Sequence, residues 1–234
     1  SRRPAGRWTR GARPLTSLRM TRFGLFLLCF GALALWAAPR PAQAHPHVFV
    51  EVALRFEADA QGRFTGVEVT WRYDALYTLL VLTDRGMDPD ADLRLTEAER
   101  AALLGFDLED WPDGFDGALF IEDAAGLHAL LPPVALDVGL EGDQLVTRHR
   151  RALLTPAVAP LSVRPYDPSY YAALTLKGAP ALPEGCAAKI IAPDSDAAQE
   201  KLETLNSRGD EGVFEEVSLG IYFAQTLEIS CPES

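Results

Sequence analysis

The sequence predicts an α+β protein built mainly on antiparallel β-sheet, with a helical pair inserted early and a further helix near the C-terminal end. Three observations carry this expectation. Apolar and polar residues alternate with period two from Val48, just after the N-terminal fifth of the chain. The period then becomes helical around Asp74–Leu82 and again after Thr96. From Gly117 to Lys177 short β-rich runs return, punctuated by turn residues.

Val48, Val50, Val52, Leu54 and Phe56 form the first alternating stripe, and Val67, Val69, Trp71 and Tyr73 the second. Ala60-Gln61-Gly62-Arg63 turns between them, so the pair reads as an antiparallel hairpin with one apolar face. In LTEAERAALLGF, Thr96 is the N-cap and Glu99 stands three residues on, the signature of a capping box. ALFIED, PVALDVGLEG, DQLVTRHRRALL, LSVRPYD and YYAALTLK read as strands, with Gly142-Asp143 as a hairpin turn. Pro193-Asp194-Ser195-Asp196 opens the last helix, which runs to about Asn206 and is stopped by Gly209. FEEVSLGIYFAQTLEISC is mixed in character and carries no single assignment.

Residues 1–44 hold eight arginines and no acid. Met20 opens MTRFGLFLLCFGALALWAAPRPAQA: one arginine, an apolar run from Phe23 to Ala38, then Ala42-Gln43-Ala44 before His45. This is the pattern of a cleaved secretory signal over 20–44, with residues 1–19 as an upstream extension. The apolar run is shorter than the roughly 20 residues a bilayer span needs. Residues 45–234 are then expected to form a single periplasmic α+β domain with its helical insertion at about 74–110. They carry 14 Lys and Arg against 33 Asp and Glu, a net charge of −19. So acidic a body repels phosphate backbones, excludes nucleic acid as a partner and favours cations. Cys186 and Cys231 are the two cysteines beyond the signal, and in an oxidising compartment they are expected to form a disulfide.

Cleavage would leave His45-Pro46-His47 at the amino terminus. The α-amine and imidazole of His45 make a chelate, and His47 projects to the same strand face. Glu51, further along that face, and Glu68 on the partner strand are candidate additional ligands for Zn²⁺, Ni²⁺ or Cu²⁺. Pro46 has no N–H to lose, so a terminal four-nitrogen copper or nickel plane is excluded. In DPDADLRLTEAE, Asp88, Asp90, Asp92 and Glu99 fall at positions 1, 3, 5 and 12 of an EF-hand-like calcium loop, with Leu93 where glycine normally supplies a positive φ. Ca²⁺ is therefore a second candidate cation, at a degenerate loop. His128 lies among apolar neighbours and reads as a satisfied core histidine. His149, within Arg148-His149-Arg150-Arg151, reads as solvated or at a sheet edge. No nucleophile, dinucleotide or zinc-protease motif occurs, and the expectation is that the protein is not an enzyme.

HPHVFVEVALRF, VTWRYDALYTLLVLTD, DPDADLRLTEAE and LSVRPYDPSYY, with the late cysteine pair, resemble domain-of-unknown-function family 1007 over nearly the whole chain after the signal. That family is described as the periplasmic component of an uncharacterised transport system. Members often accompany a nickel/cobalt-type membrane permease, and some are linked to zinc acquisition. The resemblance implies a histidine start at His45 and His47, and an acidic loop at Asp88, Asp90, Asp92 and Glu99, in which members commonly carry glycine where Leu93 stands here. The functional expectation is a periplasmic transition-metal-binding accessory of a zinc or nickel/cobalt transporter, partnered by a membrane metal permease. Two rivals stand beside it. One is a copper redox protein using a histidine brace completed by His128 or His149. The other is a calcium-stabilised interaction module.

Overall fold

In the computed structural model, the residues described are 46–109, 111, 117–206 and 218–232, all within the compact unit Ala44–Ser234. The expected signal segment and His45 lie outside them. The architecture is α+β, with two five-stranded sheets. The first is ordered β5 (Val134–Glu141), β6 (Gln144–Ala157), β2 (Phe64–Tyr73), β1 (Val48–Ala58), β8 (Ala172–Leu176). The second is ordered β4 (Gly126–Leu127), β3 (Leu119–Asp123), β7 (Leu161–Pro165), β10 (Thr226–Ser230), β9 (Ala187–Ile191).

The first sheet grows from the alternating hairpin. In β1 (Val48–Ala58), the stripe Val48, Val50, Val52, Leu54 and Phe56 is buried. In β2 (Phe64–Tyr73), Phe64, Val67, Val69, Trp71 and Tyr73 are buried. They pair antiparallel from Val50↔Tyr73 to Phe56↔Val67, so both stripes face one core. β6 (Gln144–Ala157) joins the other edge of β2, and β5 (Val134–Glu141) closes that side as an edge strand. The β5–β6 connection is the two-residue Gly142-Asp143 turn, where Gly142 takes φ 65° as the tight hairpin demands.

One pairing breaks the antiparallel expectation. β8 (Ala172–Leu176) lies parallel to β1, Val48 opposite Ala172 and Val52 opposite Leu176. Parallel partners need a long crossover, and here more than a hundred residues supply it. The second sheet combines β3 (Leu119–Asp123), β4 (Gly126–Leu127), β7 (Leu161–Pro165), β9 (Ala187–Ile191) and β10 (Thr226–Ser230). Its inward residues Leu119, Ile121, Leu161, Val163, Leu227 and Ile229 belong to the same core as those of β1 and β2. Cys186 and Cys231, beside β9 and β10, are joined in a disulfide.

The insertion holds α1 (Ala75–Arg85) and α2 (Glu97–Leu103). Asp74 caps α1 by accepting from Tyr77 N at 2.9 Å, and its other oxygen accepts from Phe49 N at 2.9 Å, fastening the helix to β1. Thr78 Oγ1 accepts from Leu145 N at 2.8 Å, tying the same helix to β6. α2 opens with the capping box between Thr96 and Glu99 and stops at Leu103, short of the expected run. α3 (Ser195–Asn206) and α4 (Gly220–Phe223) are the other helices among the described residues. Among the described residues no helix is long and apolar enough to cross a membrane.

Candidate functional site

Gly86 ends α1 in the left-handed conformation and delivers the chain into the acidic loop. Asp88 organises that loop: its Oδ1 accepts from Asp92 N at 3.0 Å and its Oδ2 from Leu93 N at 3.1 Å. Asp92 Oδ1 in turn accepts from Arg94 N at 2.9 Å. As a result one carboxylate oxygen from each of Asp88, Asp90 and Asp92 lies within 4.8 Å of the others. Leu93 takes the position expected of glycine and adopts φ 60°, the left-handed conformation glycine would supply there. It does cost about 1–2 kcal/mol of backbone strain for a residue with a Cβ.

Glu99 does not join this cluster. Its Oε2 accepts from Thr96 Oγ1 at 2.7 Å and Thr96 N at 2.8 Å, and its Oε1 accepts from Asp88 N at 2.8 Å. Those donors, the Thr96 hydroxyl foremost, hold the Glu99 carboxyl below the usual range. Position 12 therefore clasps the two ends of the loop together, and three carboxylates rather than four converge.

The histidine terminus is less assembled. His47 is exposed, immediately precedes β1, and donates its backbone N–H to Tyr171 O at 2.8 Å; its ring lies 4.9 Å from that of Tyr171. Glu51 is four residues further along the same face, roughly 13 Å at strand rise. Its carboxylate is bound to Lys177 Nζ at 2.7 Å and lies 3.8 Å from Arg72 Nε. Glu68 does not stand beside Glu51: the register sets it opposite Arg55, and its carboxylate lies 3.5 Å from Arg148. The hairpin runs antiparallel, so a residue early in β2 meets the far end of β1. Neither carboxylate is gathered with His47.

The other two histidines also differ from expectation. His149 is not at an edge but 1% exposed on central strand β6, its ring 4.7 Å from Trp71 and its Nδ1 unpartnered. Burial, reinforced by Arg151, pulls its pKa down to about 4. His128 lies among polar groups rather than in an apolar core: Nε2 is 2.9 Å from Asp123 Oδ2 without hydrogen-bond geometry, and Nδ1 lies 3.2 Å from Thr155 O.

A feature that sequence reasoning missed lies beside His47. A cavity of about 410 Å³ opens where β1, β2 and β8 meet the helical insertion. Trp71 and Tyr73 of β2, Tyr77 of α1, Phe106, Trp111 and Tyr171 give it aromatic walls. Asp107 lines it too; its Oδ2 accepts from Tyr73 Oη at 2.8 Å and Thr147 Oγ1 at 2.6 Å, while its buried Oδ1 has no hydrogen-bond partner. Burial raises the Asp107 carboxyl above the ordinary range against those two donors. The signal in the sequence was the run of aromatics at 71, 73, 77, 106 and 111. Its members come from β2, α1 and the segment after α2, and converge only in the fold.

The chain is similar to an uncharacterized protein of Haemophilus influenzae, 27% identical over 226 residues that cover 89% of this chain and 96% of the relative. The family model described as a protein of unknown function, DUF1007, matches residues 30–231, spanning the hairpin, the acidic loop, the aromatic cavity and both bridged cysteines. The chain belongs to that family.

Proposed function

We propose that the protein is a non-enzymatic, divalent-cation-binding accessory of a transition-metal transporter, exported to the periplasm and working beside a membrane metal permease. The observation that carries the reading is the convergence of Asp88, Asp90 and Asp92 in a loop already bent for a cation. Three carboxylates that close repel one another, and a bound cation relieves that repulsion. Hard oxygen ligands suit Ca²⁺, which would tie the end of α1 to the start of α2. With Glu99 committed to its capping box, the affinity belongs with weak extracellular calcium sites, a Kd of about 10⁻⁴–10⁻³ M.

The transported ion, Zn²⁺ or Ni²⁺/Co²⁺, would be taken at the amino terminus. His47 supplies an exposed imidazole there, and His45, once the chain is cut before it, an amine and a second imidazole. The net charge of −19 on residues 45–234 supports the reading by drawing cations to the surface. The copper-brace alternative gains no support, because His149 is buried and His128 is engaged with Asp123 and Thr155.

Titration calorimetry on protein with an authentic His45 terminus tests both sites. Ca²⁺ binding is expected to disappear in Asp90→Ala/Asp92→Ala with Zn²⁺ binding retained, and His47→Ala is expected to do the reverse. Absence of binding for both ions in the wild type overturns the proposal. Calcium binding alone favours the interaction-module reading instead.

A further inference from the structure

The aromatic cavity has walls of one chemistry and a floor of another. Trp71, Tyr73, Tyr77, Phe106, Trp111 and Tyr171 present rings, and the ionisable side chains that join them, beyond the tyrosines, are carboxylates: Asp107, Glu109 and Asp167. Among the described residues, no lysine, arginine or histidine lines the space. Arg85 and Arg151 lie over the Phe106 and Trp111 rings at 5.2 and 5.3 Å, so these rings already receive cations on faces where neither arginine lines the cavity. The volume of about 410 Å³ falls in the range of small-molecule sites, roughly 300–1,000 Å³.

Three ligand classes fail on these residues. An anion meets only carboxylates. A metal ion finds no cage, because among the described residues the acidic loop alone brings three ligand atoms within 4.8 Å. Both oxygens of Asp167 are moreover occupied, Oδ1 by Ser169 and Oδ2 by Ala172 N. A purely apolar molecule would set no opposite charge against the carboxylates of the lining. A small organic ammonium meets every condition: aromatic faces attract its charge, and the lining carboxylates Asp107 and Glu109 complement it.

We propose that this cavity is a binding site for a small primary alkylammonium ion, with the rings as its cage and Asp107 as its anionic anchor. The proposal stands independently of the metal reading, since it uses neither His47 nor the acidic loop.

The test is titration calorimetry of the exported protein with n-butylammonium chloride at neutral pH, with n-butanol and sodium butanoate as neutral and anionic matches. Saturable binding is expected for butylammonium, at least tenfold tighter than for butanol and undetectable for butanoate. Asp107→Asn is expected to weaken butylammonium at least tenfold while leaving Ca²⁺ binding unchanged. If Asp107→Asn does not fold by circular dichroism, Tyr77→Leu replaces it with the same expected loss. Absence of saturable binding, equal affinity for butanol, or unchanged affinity in the folded variant each overturns the proposal.

Discussion

His149 sits on a strand where every second residue, Leu145, Thr147, His149, Arg151 and Leu153, is buried, while Arg148 and Arg150 face outward to Asp137 and Glu57. Its folded pKa of about 4 lies below the ordinary histidine value of 6.5, so the folded protein resists taking up the proton. Above pH 6.5 both folded and unfolded forms hold a neutral ring, and the difference vanishes. As pH falls from 6.5 towards 4 the unfolded chain protonates first, and the folded state loses up to about 3 kcal/mol. The carboxylates held low by partners, Asp137 and Glu57 among them, destabilise the fold mainly below this window, as pH drops through their depressed values. Comparing wild type with His149→Leu isolates the histidine. Urea midpoints at pH 7 and 4.5 are expected to fall steeply in the wild type and clearly less in the variant. Parallel falls would mean that the folded ring takes up its proton as readily as the unfolded chain does. The burial itself was legible in the period-two pattern of β6; the flanking arginines obscured it, because a charge-rich run looks solvated when strand alternation is ignored.

Helix α2 is short, and its first turn is where its stability is concentrated. Thr96 Oγ1 accepts from Glu99 N at 3.2 Å, and Glu99 returns bonds to Thr96 and Asp88. Thr96→Ala is expected to cost about 1 kcal/mol in urea unfolding without calcium. Glu99→Gln should be milder, since glutamine also completes a capping box. A larger loss for Glu99→Gln than for Thr96→Ala would show that the carboxylate charge, rather than the cap, holds the loop. At this scale the sequence was most informative. The alternation of β1 and β2, the Gly142-Asp143 turn and the capping box are local rules, and each appears where its residues predicted it. Register is a different matter. Glu51 and Glu68 share the outward face of the hairpin, but the turn length decides which residues meet, and it pairs Glu51 with Arg72 and Glu68 with Arg55.

Across the whole molecule, the relations that build the cavity are long-range: β8 beside β1 in parallel, the insertion fastened through Asp74 and Thr78, and a second sheet closing the common core. No local pattern encodes a parallel pairing across such a crossover, so the aromatic residues were visible as a list and not as a site. The disulfide is the one long-range link that composition exposed, because Cys186 and Cys231 are the two cysteines beyond the expected signal. It closes a segment with a sequence separation of 45 that carries β9, α3 and α4 before returning on β10. β9 is an edge strand held on one side by β10, and four of its five residues are exposed, so burial alone gives it little hold. Closing a loop of that length removes denatured-state freedom worth about 4 kcal/mol in the chain-entropy model. Cys186→Ser/Cys231→Ser is therefore expected to lower the unfolding free energy by an amount of that order, with hydrogen exchange at Ala188 and Ile190 accelerating before that of the β1–β2 hairpin. A variant with unchanged stability and unchanged exchange in β9 would mean that β9 is held by its ladder with β10 alone.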